Sequence, residues 1–175
     1  AVESPANFND WVDQLAAAAD TEITNYETYM TALHQRHDFF HKTGCRLSDH
    51  GIEQPYAQDY TETQIRRIFD KVRSGKTLEK SEVRQFTSAM LIELAVMDAE
   101  KSWVQQFHLG VLRNTNTRAM QHIGPDTGFD TIGYFEIGKP LARFLDRHLT
   151  DEEELVECLS PIAHLFGQRC RVVGG

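Results

Sequence analysis

The chain has 175 residues, enough for one globular domain with a sizeable core. Its 26 acidic residues outnumber 18 basic ones for a net charge of −8, and no concentrated Lys/Arg block stands out, which argues against nucleic acid as a main partner. No apolar run approaches the roughly 20 residues of a membrane-spanning helix, and Cys45, Cys158 and Cys170 are scattered without a CxxC, as suits reduced thiols in a cytoplasm.

Asn7 or Asn9 is placed to cap a first helix running through Trp11, Val12 and Leu15. A second helix is predicted over 24–42, with Ile23, Tyr26, Met30 and Leu33 on one face and Gly44 at its stop. The strand Cys45–Asp49 follows, then a loop over 54–60. Thr61 is positioned to cap a third helix carrying Ile65, Ile68, Phe69 and Val72, ending at Gly75. The longest helix spans about 78–101. Its stripe of Val83, Phe86, Met90, Leu94 and Met97 reads as core packing. Trp103–Gly110 is a second strand, followed by a long glycine-containing loop and a last helix over about 138–149. Strands separated by helices indicate α/β with parallel strands, and no internal boundary shows before the tail.

Polar residues in two segments sit where packing alone would not put them. In Trp103–Gly110, Gln106 and His108 share a face, because strand side chains alternate. The loop after it holds Arg113, Asn114, Asn116, Arg118, Asp126 and Asp130 among turn-forming glycines. In the earlier strand, Arg46, Ser48 and His50 share one face, with Cys45 and Leu47 on the other. A half-exposed strand with a solvated loop would account for the same pattern.

Together, RHDFFHKTGCRLSDHGIE (36–53), WVQQFHLGVLRNTNTR (103–118) and GPDTGFDTIG (124–133) resemble the uronate isomerase family, also called glucuronate isomerase. The resemblance runs from about Asn7 to Asp146 and implies part of an amidohydrolase-like (β/α)8 barrel. Such a barrel takes roughly 250 residues. The expected fold is therefore α/β, a partial TIM-type barrel, helix-rich with two to three parallel strands. Residues 1–149 would form an internal fragment of the barrel with its helical insertion, and 150–175 a divergent or truncated tail. Ile162–Gly175 does not match the family, and a shifted reading frame near Pro161 is one account that the coding DNA would test.

The resemblance implies aldose–ketose isomerisation of a hexuronate, such as D-glucuronate to D-fructuronate or D-galacturonate to D-tagaturonate, within a longer cytoplasmic homo-oligomeric enzyme. Moving a proton between C2 and C1 through an enediol-like intermediate needs a general base, a group polarising the carbonyl oxygen, and a cation for the substrate carboxylate. His108 is the leading catalytic candidate. The competing role is a core histidine bonded to a backbone carbonyl. His50 comes next, with Asp49 beside it to orient the ring, although Asp-His-Gly also suits a turn. Arg113 is the expected carboxylate clamp, and Arg46, Gln106 and Asn116 are the other substrate-binding candidates. Arg118 is weaker, and Asp126 and Asp130 read more readily as turn formers.

The family implies a divalent metal such as zinc in the longer enzyme, but its His-x-His and its acidic ligand on the last strand fall outside this chain. His34, His37 and His41 share a helix face, where packing or solvation is the expected role and no metal site is assigned. Two other functions stay open: a metal-dependent amidohydrolase-type hydrolase, and a non-catalytic helical binding module. The strands are expected to lie parallel and adjacent, with Arg46, His50, Gln106 and His108 converging on one side.

Overall fold

The computed structural model describes residues 2–124 and 127–148. Asp126 and the tail over 150–175 lie outside the described residues. The chain divides into two compact units. The first comprises the chain up to Arg46 with Tyr56–Trp103, and the second Leu47–Pro55 with the chain from Val104 onward. Composition does not change where the units alternate, so a nine-residue excursion between two helices leaves no boundary signal in the sequence.

Four helices build the first unit: α1 (Pro5–Ala19), α2 (Tyr26–Lys42), α3 (Glu62–Arg73) and α4 (Lys80–Glu100). Their apolar stripes meet in one core. Phe8, Val12 and Leu15 come from α1, Tyr29 and Ala32 from α2, Ile65, Ile68, Phe69 and Val72 from α3, and Phe86 and Ala89 from α4. Phe8 lies edge-on to Phe69 at 6.2 Å and to Phe86 at 5.8 Å, the geometry that aromatic quadrupoles favour. Removing such a fully buried ring costs about 3–5 kcal/mol.

The helix ends follow local chemistry. Asn25 accepts from the Thr28 N–H, and Thr61 accepts from the Gln64 N–H, each within a reciprocal capping box. Gly44 and Gly75 take left-handed backbones (φ 106° and 80°) just beyond α2 and α3, where a Cβ would be strained. The first helix differs from expectation. Ser4 is its N-cap residue, with Pro5 opening the helix. Asn9 lies inside it, donating to the Val72 carbonyl at 3.1 Å and accepting from Arg73 at 3.0 Å. Its polarity serves the C-terminus of α3 rather than the start of α1.

The second unit contains β1 (Leu47–Ile52), β2 (Val104–Leu109), β3 (Val111–Leu112), α5 (Thr117–Ile123), β4 (Thr131–Ile132) and α6 (Gly138–His148). β1 and β2 pair in parallel, with α3 and α4 between them in chain order, as a parallel connection requires. β1 starts two residues later than expected and runs through Gly51. The segment read as one long loop contains β3, α5 and β4. β3 and β4 pair antiparallel, so the described strands include two parallel ones and a short antiparallel pair. Two-residue strands and a seven-residue helix are too brief for periodicity to reveal them.

Candidate active site

Parallel register decides which side chains meet. Leu47 pairs with Val104, Asp49 with Gln106 and Gly51 with His108, while His50 pairs with Phe107. Directly paired residues project to the same side, and neighbours along a strand to opposite sides. One face therefore carries Leu47, Asp49, Gly51, Val104, Gln106 and His108. The other carries Ser48, His50, Ile52, Gln105, Phe107 and Leu109.

This arrangement corrects the expected convergence. His50 and His108 lie on opposite faces of the sheet, so they do not form a shared site. Asp49 pairs across the strands with His108 rather than with its sequence neighbour His50: Asp49 Oδ1 is 3.0 Å from His108 Nε2. His50 Nε2 is 3.0 Å from the Ser48 hydroxyl and 3.5 Å from Gln105 Nε2. On that second face Phe107 packs edge-on against the buried Phe144 of α6, with 5.5 Å between ring centroids. His50 is half-buried beside Phe107. The face carrying Asp49 and His108 is the more open, each side chain keeping just over half its surface exposed.

Arg46 has partners of its own. It precedes β1 and donates to the His41 carbonyl at 3.0 Å and the Cys45 carbonyl at 2.6 Å, binding the C-terminal end of α2. A cation there complements the helix dipole. Asn116 has its Oδ1 committed to the Ala119 N–H at 3.0 Å, as the N-cap of α5. Arg118 is exposed on the same helix.

Arg113 does reach the open face. A Cβ on Gly51 would overlap Arg113 Nη2 and stand 3.6 Å from its Cζ. That Cβ would project to the side of Asp49 and His108, so the guanidinium lies across β1 on their face. Arg113 and Asp130 stand one residue beyond the last β3–β4 pair, Leu112 and Thr131, and their side chains meet there. Asp130 Oδ2 accepts from Nη1 at 2.8 Å, and its Oδ1 accepts from the Asn114 N–H at 2.9 Å. Thr115 adds a backbone donor and a hydroxyl to the Phe129 carbonyl, at 2.7 and 2.9 Å.

Gly51 and Asp130 are the neighbours that sequence reasoning passed over. A glycine inside a strand is itself a signal of close approach by another group. Asp130 carried no such signal, since aspartate is common in turns. Among the described residues no three His, Cys, Asp or Glu side chains gather to hold a metal ion. Asp49 and His108 supply two donors, fewer than the three protein ligands usual in a catalytic zinc site. They do not make such a site by themselves.

In the helical unit, the three histidines of α2 have separate surroundings. His34 is exposed. His37 is buried and its Nε2 lies 2.9 Å from the buried Asp98 of α4. His41 Nδ1 accepts from the Trp103 indole N–H at 2.8 Å. Partial burial, with Arg46 and Lys101 nearby, holds His41 below the ordinary histidine range. No helix among the described residues is long and apolar enough to cross a membrane.

The family described as glucuronate isomerase matches residues 1–160. A uronate isomerase of Bacteroides thetaiotaomicron is 52% identical over 147 residues, which are 84% of this chain and 31% of that protein. One from Cellvibrio japonicus is 48% identical over 158 residues, 90% of this chain and 33% of its own length. The crystal structure of a Thermotoga maritima uronate isomerase superimposes with a TM-score of 0.77 at 25% identity, covering 90% of this chain and 37% of that one. A Caulobacter crescentus glucuronate isomerase gives 0.68 at 25% identity, covering 87% and 34%. The chain thus spans about a third of the length of the curated relatives it matches.

Proposed function

The chain belongs to the glucuronate isomerase family, and we propose that its open sheet face forms part of the pocket in which the whole protein interconverts a hexuronate between aldose and ketose forms. The observation that carries this reading is the Asp49–His108 pair at 3.0 Å, with the Arg113 guanidinium laid across Gly51 on the same face. His108 and Gly51 lie in the C-terminal halves of β2 and β1, the end at which barrel enzymes place their chemistry.

His108 has the acid–base role in this reading. With its Nε2–H donated to Asp49, its Nδ1 is the acceptor able to take a proton from the substrate and return it to the adjacent carbon. Asp49 holds the ring's orientation and stabilises the imidazolium formed in passing. Arg113 pairs with the substrate carboxylate through its planar donors, fixing the sugar acid relative to His108. Gln106 lies on the same face as a further hydrogen-bonding group. His50 projects from the opposite face of the sheet, Asn116 caps α5 through its Oδ1, and Arg46 binds the end of α2. Scattered cysteines support a cytoplasmic place for the enzyme. The metal expected of the family finds its ligands outside these residues, and no step is assigned to it.

Two substitutions in the whole protein test the assignment. His108→Asn is expected to lower kcat on glucuronate or galacturonate by about a hundredfold or more, the scale of a lost general acid–base. Arg113→Met is expected to raise KM by about tenfold or more, since a charge-assisted hydrogen bond contributes about 1.5–3 kcal/mol. Near-normal kcat in a folded His108→Asn protein would return that histidine to a structural role.

A further inference from the structure

We propose that Gly51 and Asp130 are positioning residues that fix where the Arg113 guanidinium lies, and so set the subsite for the substrate carboxylate. The inference rests on the reading of Arg113 as the carboxylate clamp.

Gly51 sits inside β1, where glycine weakens a strand and alanine would ordinarily be preferred. Its backbone is outside the left-handed region, so conformation does not demand glycine there. Space does. Among the described residues, the only group an added Cβ would meet within 4 Å is the Arg113 guanidinium, at Nη2 and Cζ. The missing side chain is what lets the arginine lie flat across the strand.

Asp130 holds the other end of the same group. Its carboxylate spans Arg113 Nη1 and the backbone N–H of Asn114, at 2.8 and 2.9 Å. Asn114 has a left-handed backbone (φ 54°), a conformation asparagine tolerates better than most residues. The carboxylate is thus tied to the main chain next to the arginine it steers. Gly51 approaches Arg113 from β1 and Asp130 from the residue just before β4, and together they limit the directions in which its fork can point.

Gly51→Ala separates this role from a structural one. The overlapping atom ends a flexible side chain, so the guanidinium can move aside while β1 stays in place. The alanine variant is expected to keep or raise the thermal midpoint, because alanine lowers the conformational entropy of the unfolded chain. Its KM for glucuronate is expected to rise about tenfold, with kcat within about threefold of the parent, the split that a displaced carboxylate clamp produces. In an Arg113→Met background, Gly51→Ala should leave KM where Arg113→Met alone puts it, because the group it displaces is gone. Asp130→Asn leaves β1 untouched and provides an independent check, with an expected KM rise of about fivefold, the order of one hydrogen bond.

All five proteins are to be compared at the full length of the enzyme, by steady-state kinetics on glucuronate and by thermal unfolding. A raised KM in Arg113→Met, with unchanged KM in Gly51→Ala and in Asp130→Asn, overturns the positioning proposal alone. Unchanged KM in Arg113→Met overturns the clamp and the proposal with it.

Discussion

At the scale of single residues, the helical unit carries its most exacting chemistry around Trp103. The indole packs against His37 with centroids 4.1 Å apart and the rings tilted by 34°, and it donates to His41, while the Trp103 backbone N–H donates to the Asp98 carbonyl at 2.8 Å. His37 Nδ1 is buried without a hydrogen-bond partner, so its contact with Asp98 is what satisfies the ring. Asp98→Ala would leave both nitrogens unsatisfied and is expected to cost about 3 kcal/mol in urea unfolding. Asp98→Asn keeps an oxygen acceptor and should cost clearly less, and equal losses would show that the oxygen is not what matters. His41 supplies a pH dependence. Its folded pKa is lowered, first by partial burial and then by Arg46, Lys101 and His37, against an opposing pull from Asp38. The unfolded chain therefore binds the proton more readily. The stability linked to His41 is fully present above its unfolded value of about 6.5 and is lost as pH falls from there through the folded value. Protonation also removes the acceptor for the indole N–H. Unfolding midpoints at about pH 7.5 and about pH 5.5 should differ less in His41→Gln than in the parent; an unaltered difference would assign the titration to another group.

At the scale of elements, helices were legible because several local signals agreed. Thr61 supplies both a cap and the start of a periodic apolar face, and Gly75 supplies the stop. Thr61→Ala is expected to destabilise the chain by about 1 kcal/mol, measured by denaturant unfolding; no change would show that Gln64 and solvent replace the lost acceptor. Strands were legible one at a time. Alternation correctly grouped Ser48 with His50, and Gln106 with His108, but it carries no information about which face of β1 joins which face of β2. That choice belongs to register, and a one-residue slip exchanges the faces completely. With polar side chains on both faces of β1, no apolar face announced the buried side. Asp49 was accordingly assigned to its neighbour His50 when its partner stands 59 positions later, at His108. The Arg113–Asp130 pair was hidden for a related reason: two strands of two residues bring it together, and neither is long enough to display a period.

At the scale of the molecule, the two units make different demands on the rest of the protein. The helical unit encloses its own core, from Phe8 and Val12 through Phe69 to Phe86, all almost wholly buried. The parallel pair of β1 and β2 is a two-stranded sheet, and among the described residues no further strand joins either edge. Parallel strands are ordinarily buried on both sides, and an open edge offers unpaired N–H and C=O groups to any other chain. Leu47 and Val104 are also exposed on the face carrying the candidate site. The 175-residue polypeptide expressed by itself is therefore expected to retain helical structure, self-associate through its sheet, and give no uronate turnover. Far-UV circular dichroism on heating would report the helical part, light scattering over a range of concentrations the association, and ketose formation from glucuronate the activity. A chain that stayed monomeric at every concentration would mean that β1 and β2 are adequately covered as they stand. Measurable turnover would show that the Asp49–His108 face needs no group from the remaining two-thirds of a protein the length of its relatives.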